Sequence, residues 1–548
     1  MSIKACEANN PGARISGGGA VVAELLRHGV DTVFGIPGGQ NLAIYDALHG
    51  EQHRIHHVMG RHEQGLGFMA DGYARASGRV GVVITTSGPA VANLACAMGQ
   101  ATTDTSPVLA IASAVSSELI GKRRGGLHDC GDAADIMRPV CRHVRRCNRV
   151  EDIPRVLQEL FHLLRAGRPG GAFCEVPCDV LDTVGEMEIL SPLNVEHTRP
   201  QKQSVTAAAE LLAQAQRPLL WVGTGATVSG AGSEIAELAG RIGAIIVHTS
   251  LGRGLVRSDH PQVVSNDGAL LTEVSETIAD ADVVLAVGTM FKQEDTAAWQ
   301  TRFGNKLIHI DIDAEEIGRS YDVEIGIVAD AKATLSALLE VLPNRVPAPV
   351  EWIDRGKQAE ASRLAQRRRQ SPTEMKALDI LRDAVVGDGI LVCDRCNLGY
   401  WMYRCGPAHA PRTFQYPMGY GGLGGALPQA IGAKLGCPDK TVVCVIGDGG
   451  FQFTSTELAT AVQENVPIVI VLCNNGRYGA IRAAQDRHYA GRRFAVELTN
   501  PDFQMLAAAH GVSASRCDNL DEFETQLNAA IASNKLRLIE ITVDLADP

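Results

Sequence analysis

The sequence predicts an α/β protein built from three doubly wound parallel-sheet domains, and three observations carry that prediction. At 548 residues the chain exceeds what one hydrophobic core supports, since domains average about 150 residues. Short apolar runs alternate with stretches of helical periodicity, the rhythm of βαβ units and parallel sheets. Two looser segments, Leu190–Gln203 and Pro343–Ser371, interrupt that rhythm and cut the chain into residues 13–185, 200–342 and 372–548. Hydrophobic residues at 45% and charged residues at 21% suit a soluble globular protein.

The elements follow in order. In the first unit, Val80–Thr85 and Val108–Ala112 read as buried strands, and Gly167-Arg-Pro-Gly-Gly171 leads into a strand through Val176 that Pro177 stops. The second unit opens with Pro218–Gly223 and continues through strands at 244–249, 283–287 and 307–312. The third has strands at Ile390–Cys393, Val442–Ile446, Ile468–Leu472 and Leu538–Val543. A charged helical run precedes it, after Pro343, Pro347 and Pro349. No short-period repeat or low-complexity tract is visible.

A net charge of −11 gives the surface no general attraction for a phosphate backbone or an anionic membrane. The one basic cluster, Lys122-Arg123-Arg124 with Arg138, Arg142, Arg145, Arg146 and Arg149, is broken by apolar residues and reads as a solvated face or an anion-facing loop. The 14 cysteines are scattered, as a reducing compartment allows, and Cys393-Asp-Arg-Cys396 lacks the second pair that a structural zinc site needs. Met1 to Gly19 has no apolar signal-peptide core, and no apolar run approaches the ~20 residues of a membrane span, so the expected location is the cytoplasm.

The most informative stretch is Thr441–Phe451, which contains Gly447-Asp448-Gly449-Gly450. It is followed by Thr454…Glu457 and by Ile468–Arg477, which contains Asn474-Asn475. The order is strand, glycine turn, helix, strand. Asp448 and Asn475 therefore stand at the carboxyl ends of two strands, the side of an open sheet where ligands bind. Glycines let backbone amides approach a phosphate, and an aspartate with an amide oxygen suits Mg²⁺. Thr454 and Glu457 have capping-box spacing and are expected to start the adjoining helix.

With 24 residues (450–473) between Gly449 and Asn474, this arrangement resembles the cofactor fingerprint of thiamine-diphosphate enzymes. A second match is Arg61-His62-Glu63-Gln64-Gly65 with Met69–Gly78. Gly35-Ile-Pro-Gly-Gly39, Thr86-Ser-Gly-Pro89, Gly167–Gly170, Ile310–Asp313 and Gly421–Pro428 extend the resemblance to the acetolactate synthase and benzoylformate decarboxylase group. It implies a pyrimidine-binding, a central and a diphosphate-binding domain, in that order.

Asp448, Asn475 and the carbonyl of Arg477 would hold the metal. Gly447, Gly449, Gly450, Pro37 and Gly38 would lie at thiamine diphosphate, with Leu423 beneath it. Glu63 would hydrogen-bond N1′ of the aminopyrimidine, a task for a carboxyl group of raised pKa. Glu63 and Asp448 would meet across a subunit interface, which implies a homodimer or homotetramer.

The implied activity is decarboxylation of a small 2-oxo acid through an enamine, with His128 as proton donor because imidazole titrates near neutrality. His62 alternates away from Glu63 and is not expected to face substrate. Carboligation of the acetolactate synthase type, with FAD in the central domain, is the alternative and is not favoured. That group's wedge methionine, acceptor-selecting tryptophan and acceptor-binding arginine fall at Leu423, Ala484 and Glu294. Benzoylformate is disfavoured because the serine and histidine expected for it fall at Gly39 and Thr86. Glu294 and Asp295 form an acidic pair suited to a cationic tail, as in the oxo acid derived from arginine. A nicotinamide site is disfavoured because Gly223-Thr-Gly225 and Gly230-Ala-Gly232 leave the GxGxxG pattern incomplete.

Overall fold

The structure, a computed structural model, describes residues 13–266, 272–343 and 350–546. The beginning of the N-terminal segment and residues 344–349 of the second connector, with Pro347 and Pro349, lie outside the described residues. Three parallel six-stranded sheets with flanking helices make up the described chain.

The first domain contains β1 (Ala13–Ser16), β2 (Thr32–Gly35), β3 (His56–Met59), β4 (Gly81–Thr85), β5 (Val108–Ala114), β6 (His143–Arg146), β7 (Gly171–Pro177) and β8 (Val184–Met187). Its sheet runs β3-β2-β4-β5-β7-β6, while β1 and β8 form a separate antiparallel pair. The central domain has β9 (Pro218–Val222), β10 (Ile245–His248), β11 (Val263–Ser265), β12 (Val283–Val287), β13 (Lys306–Asp311) and β14 (Ile325–Val328), ordered β11-β10-β9-β12-β13-β14. The last has β15 (Ile390–Cys393), β16 (Phe414–Gln415), β17 (Val442–Gly447), β18 (Val469–Cys473), β19 (Ser513–Cys517) and β20 (Arg537–Ile541), ordered β16-β15-β17-β18-β20-β19.

The first and last sheets therefore share one strand permutation. In each, the chain runs outward from its first strand and returns on the other side, so the strand order reverses between β2 and β4 and between β15 and β17. Ligands of open α/β sheets bind at such reversals, outside the carboxyl ends of the strands. The fold thus supplies two equivalent crevices in one chain.

The first and last domains share a core. Phe34, Leu66 and Met69 belong to the same buried cluster as Leu427, Ile431 and Ile446. The helices Glu63–Ser77 and Ala426–Gly436 meet through glycines: a Cβ at Gly72 would stand 2.0 Å from the Gln429 carbonyl oxygen, and one at Gly432 1.8 Å from that of Met69. Interiors are too close-packed to absorb such overlaps, so glycine sets the approach of the two domains.

The capping-box expectation is corrected. The helix begins at Asp448 and reaches Thr454, and a short 3₁₀ turn, Ser455–Glu457, continues the chain. Thr454 donates its hydroxyl to the Gly424 carbonyl (2.6 Å) and makes no side-chain cap. Glu457 points into the first domain and accepts hydrogen bonds from Arg61 N and His62 N, both at 3.1 Å. Glu457 fastens the last domain to the first, while Thr454 ties its helix to the loop that carries Leu423.

Candidate active site

Asp448 follows β17 directly and is the first residue of its helix, and Asn474 and Asn475 follow β18. Parallel pairing of β17 with β18, Gly447 opposite Cys473, brings these residues side by side. They line a cavity of about 280 Å³ with Leu423, Gly447, Gly449, Gly450 and Arg477, so seven sequence-selected residues converge in one place.

Asp448 is 3% exposed, and burial raises its carboxyl pKa. Its Oδ2 accepts from Gly476 N (2.9 Å) and from Asn500 Nδ2 (2.7 Å), and no ion pair reaches it among the described residues. A buried carboxylate without a compensating cation, beside an asparagine, is a donor set that fits a small divalent ion. The glycine wall fits a diphosphate: a Cβ at Gly449 would stand 2.5 Å from the Tyr478 ring, and one at Gly450 2.8 Å from Asp394 Oδ2. No side chain beyond hydrogen can stand there, so the wall is bare backbone.

The loop that carries Leu423 is held from several directions. Gln100 accepts from Gly421 N (3.2 Å), Asp104 accepts from Met418 N (3.2 Å) and Gly419 N (2.9 Å), and Asp394 Oδ2 accepts from Gly424 N (2.8 Å). Asp104 is fully buried and also pairs with Arg75 and Lys292, so a single carboxylate ties all three domains to this loop. Burial pushes Asp394 up to about 6, against the pull of its backbone hydrogen bonds.

The remaining selected residues all belong to the first domain. Glu63 opens the helix Glu63–Ser77, with His62 as N-cap accepting from Gln64 N, and Asn93 Nδ2 donates to Glu63 Oε2 (2.9 Å). Gly38 follows β2 and packs on Thr86 after β4, where a Cβ would come 2.6 Å from the threonine Cβ. Pro37 lies between β2 and Gly38. His128, at φ +67°, donates Nδ1–H to Gln40 Oε1 (2.9 Å), and among the described residues no hydrogen bond reaches its Nε2. Neither Glu63, Pro37, Gly38 nor His128 lines the Asp448 cavity.

One part of the acidic-pair expectation is corrected. Asp295 is buried, accepts from Ser250 N (2.9 Å) and Oγ (2.6 Å), and faces a different cavity from the cleft that Glu294 lines, so the two acids do not form one site. Glu294 instead lines an open cleft and pairs with Arg395. Asn500 and Asp394 carry no signal in the sequence that marks them as site residues. Asn500 also donates to Asn474 Oδ1 (2.9 Å) and so ties Asp448 to the residue that precedes Asn475. No motif spacing marks it, because it belongs to an irregular loop; Glu457 was selected, but for the wrong partner.

The glycine-walled cavity beside Asp448 on one sheet, a second sheet of the same permutation packed against it and a third sheet between the two in sequence are the layout of an enzyme class that binds thiamine diphosphate. Comparison with known proteins agrees. Residues 15–136 match the N-terminal TPP binding domain of thiamine pyrophosphate enzymes, 205–338 the central domain and 394–541 the C-terminal TPP binding domain. The chain belongs to the thiamine pyrophosphate enzyme family.

It is 37% identical to a probable 2-ketoarginine decarboxylase of Pseudomonas aeruginosa, over 97% of this chain and 94% of that protein. It is 34% identical to the acetolactate synthase isozyme 3 large subunit of Escherichia coli (97% and 95% covered). It is 32% identical to a probable acetolactate synthase large subunit of Methanocaldococcus jannaschii (97% and 93%). No helix among the described residues is long and apolar enough to cross a membrane.

Proposed function

We propose that this enzyme decarboxylates a 2-oxo acid and releases the aldehyde, using thiamine diphosphate and Mg²⁺. The observation that carries the proposal is the convergence of Asp448, Asn475, Arg477, the bare glycine wall and Leu423 on one cavity. When bound, thiamine diphosphate supplies a nucleophilic carbon and a sink for the electron pair that the departing carboxylate leaves behind.

The chain's own residues have separable tasks. Asp448, Asn475 and the Arg477 carbonyl would hold the metal. The backbone of Gly447, Gly449 and Gly450 would approach the diphosphate without steric cost, and Leu423 would support the body of the cofactor. Glu63, with Oε2 occupied by Asn93, would hold a proton on Oε1 for the aminopyrimidine N1′, with Pro37 and Gly38 alongside. His128 Nε2 would deliver the proton that releases the aldehyde. Because residues of the first domain are absent from the Asp448 cavity, this reading requires a second subunit to complete each site, as a homodimer or homotetramer does.

Decarboxylation is preferred over carboligation because Glu294 and Ala484 occupy the positions where the resemblance to acetolactate synthases calls for arginine and tryptophan. An anionic acceptor would meet a carboxylate there. The relative named for 2-ketoarginine points the same way, and no flavin is required. The test is carbon dioxide release and product analysis over a panel of 2-oxo acids, with and without an added aldehyde. Aldehyde product is expected. Acetohydroxy acids as the sole product would overturn the reading.

A further inference from the structure

Beyond the diphosphate cavity, the structure holds a larger open cleft of about 810 Å³, and the two share Arg395 and Gly421. A Cβ at Gly421 would stand 3.3 Å from Arg395 Nη1, so the cleft begins one guanidinium away from the loop that carries Leu423. Its charged lining is Lys292, Glu294, Arg319 and Arg395. Each cation is already matched: Lys292 by Asp104, Arg319 by Glu316 and Arg395 by Glu294. Lys292 and Arg319 are matched by acids outside the lining, so the Arg395–Glu294 pair is the charged feature within it, and Glu294 is its one carboxylate.

Arg395 Nη2 occupies Glu294 Oε1, and Arg395 Nη1 donates to the Pro417 carbonyl (3.1 Å). Among the described residues no hydrogen bond reaches Glu294 Oε2. A carboxylate accepts up to about four hydrogen bonds, so a second cation can join without displacing the first. Two aromatic rings line the same cleft, Trp299 at 52% exposed and Tyr420 at 48%. The Trp299 ring is fixed by its Nε1–H donating to the Phe291 carbonyl (2.9 Å). Exposed aromatic faces beside a carboxylate form a guanidinium site, in which the cation stacks on the rings while the acid accepts its hydrogens.

The backbone is strained to build this wall. Ala297, Ala298 and Trp299 have φ of +48°, +55° and +61°, three consecutive non-glycine residues in the left-handed region. Such conformations cost on the order of 1 kcal/mol each and persist where the surroundings impose them, commonly at ligand clamps.

We propose that the cleft bounded by Glu294, Trp299 and Tyr420 is the subsite for a guanidinium group at the far end of the 2-oxo acid. The inference rests on the decarboxylase reading for its placement beside the reacting carbon. Glu294 acts as the specificity-determining carboxylate, and Arg395 orients it.

The test compares 5-guanidino-2-oxopentanoate with its 5-ureido counterpart, which has the same shape and no charge. With the cofactor-loaded wild-type enzyme, kcat/KM should favour the guanidino acid by about 30-fold or more, the scale of a charged hydrogen bond. Glu294→Gln should bring that ratio close to one, chiefly through KM. A wild-type ratio near one, or a ratio unmoved in Glu294→Gln, would overturn the subsite.

A second measurement is independent of turnover. Tryptophan fluorescence of the loaded protein, titrated with 5-guanidinopentanoate, should respond in wild type, weaken in Glu294→Gln and vanish in Trp299→Phe, with no response to 5-ureidopentanoate. If the guanidino probe binds in this way while no 2-oxo acid releases carbon dioxide, the decarboxylase reading fails and the subsite stands. If carbon dioxide is released but the probe does not bind, the subsite alone fails.

Discussion

Removing the Glu457 carboxylate should loosen the start of the helix that carries Glu63, and the size of the effect can be worked from its hydrogen bonds. Glu457 is 0% exposed. It accepts from Arg61 N (3.1 Å to one oxygen, 3.3 Å to the other), His62 N (3.1 Å) and Thr460 Oγ1 (2.6 Å). In Glu457→Ala the threonine hydroxyl can turn to the Met59 carbonyl, which it already approaches at 3.3 Å. The two backbone amides, on exposed residues at a part-buried seam, lose hydrogen bonds to a charged acceptor, worth about 1.5–3 kcal/mol each or roughly 3–6 kcal/mol together.

Burial raises the Glu457 pKa, so part of that cost is offset when the buried charge disappears. The expected loss is therefore in the lower half of the range, about 3 kcal/mol. Glu457→Gln can keep its carbonyl oxygen at the position of Oε1, which serves both amides, and set its NH₂ group against the Thr460 hydroxyl, so it should lose less than half as much. Urea unfolding followed by circular dichroism measures the stability, and carbon dioxide release below the transition measures the consequence for Glu63, one residue past His62. A drop in kcat of about 10-fold or more is expected while the protein remains folded. A Glu457→Ala variant with unchanged midpoint and unchanged kcat would refute the claim that this carboxylate positions the glutamate helix.

Two further variants probe the other crevice. Burial lifts the folded-state pKa of Asp394 from 3.8 to about 6. Its contribution to stability is thus present in full below pH 3.8 and lost as pH rises through 6, roughly 3 kcal/mol across the window. Asp394→Asn should lack that slope, and parallel wild-type and variant profiles of unfolding free energy between pH 4 and 7 would contradict it. Asn500→Ala removes the donor shared by Asp448 and Asn474 and should weaken Mg²⁺ activation by about 10-fold, the usual cost of losing an outer-shell partner. Titration of the activity with Mg²⁺ reads this directly.

The interior of each sheet was largely legible in the sequence and the edges were not. Val442–Gly447 and Val469–Cys473 are buried almost throughout and read as continuous apolar runs. The strands that the sequence did not single out include all six sheet edges: His56–Met59, His143–Arg146, Val263–Ser265, Ile325–Val328, Phe414–Gln415 and Ser513–Cys517. Most of these are polar or short because one side of each faces no partner strand. Among interior strands, Thr32–Gly35 was also overlooked. The shared permutation of the first and last sheets is a relation between backbones, with no repeated motif to announce it.

The candidate site divides in the same way. Asp448, Asn475 and the glycines are fixed by local spacing along one strand–turn–helix–strand unit, so the sequence brings them together. Asn500, Asp394 and Asp104 reach the site through tertiary packing that no spacing encodes. Adjacency in sequence does not make Glu294 and Asp295 one site, because the loop turns Asp295 inward to Ser250 and leaves Glu294 on the cleft.

The central claim is that one active centre needs Glu63 from one chain and Asp448 from another. Its most direct test joins two inactive variants, Glu63→Gln and Asp448→Asn, as co-expressed, differently tagged subunits purified as the mixed oligomer. If the two residues serve the same centre from different chains, each mixed dimer rebuilds one wild-type site beside one doubly defective site, and about half of wild-type activity returns. If they serve it from the same chain, every site keeps one defect, and the mixed oligomer stays as inactive as its parents.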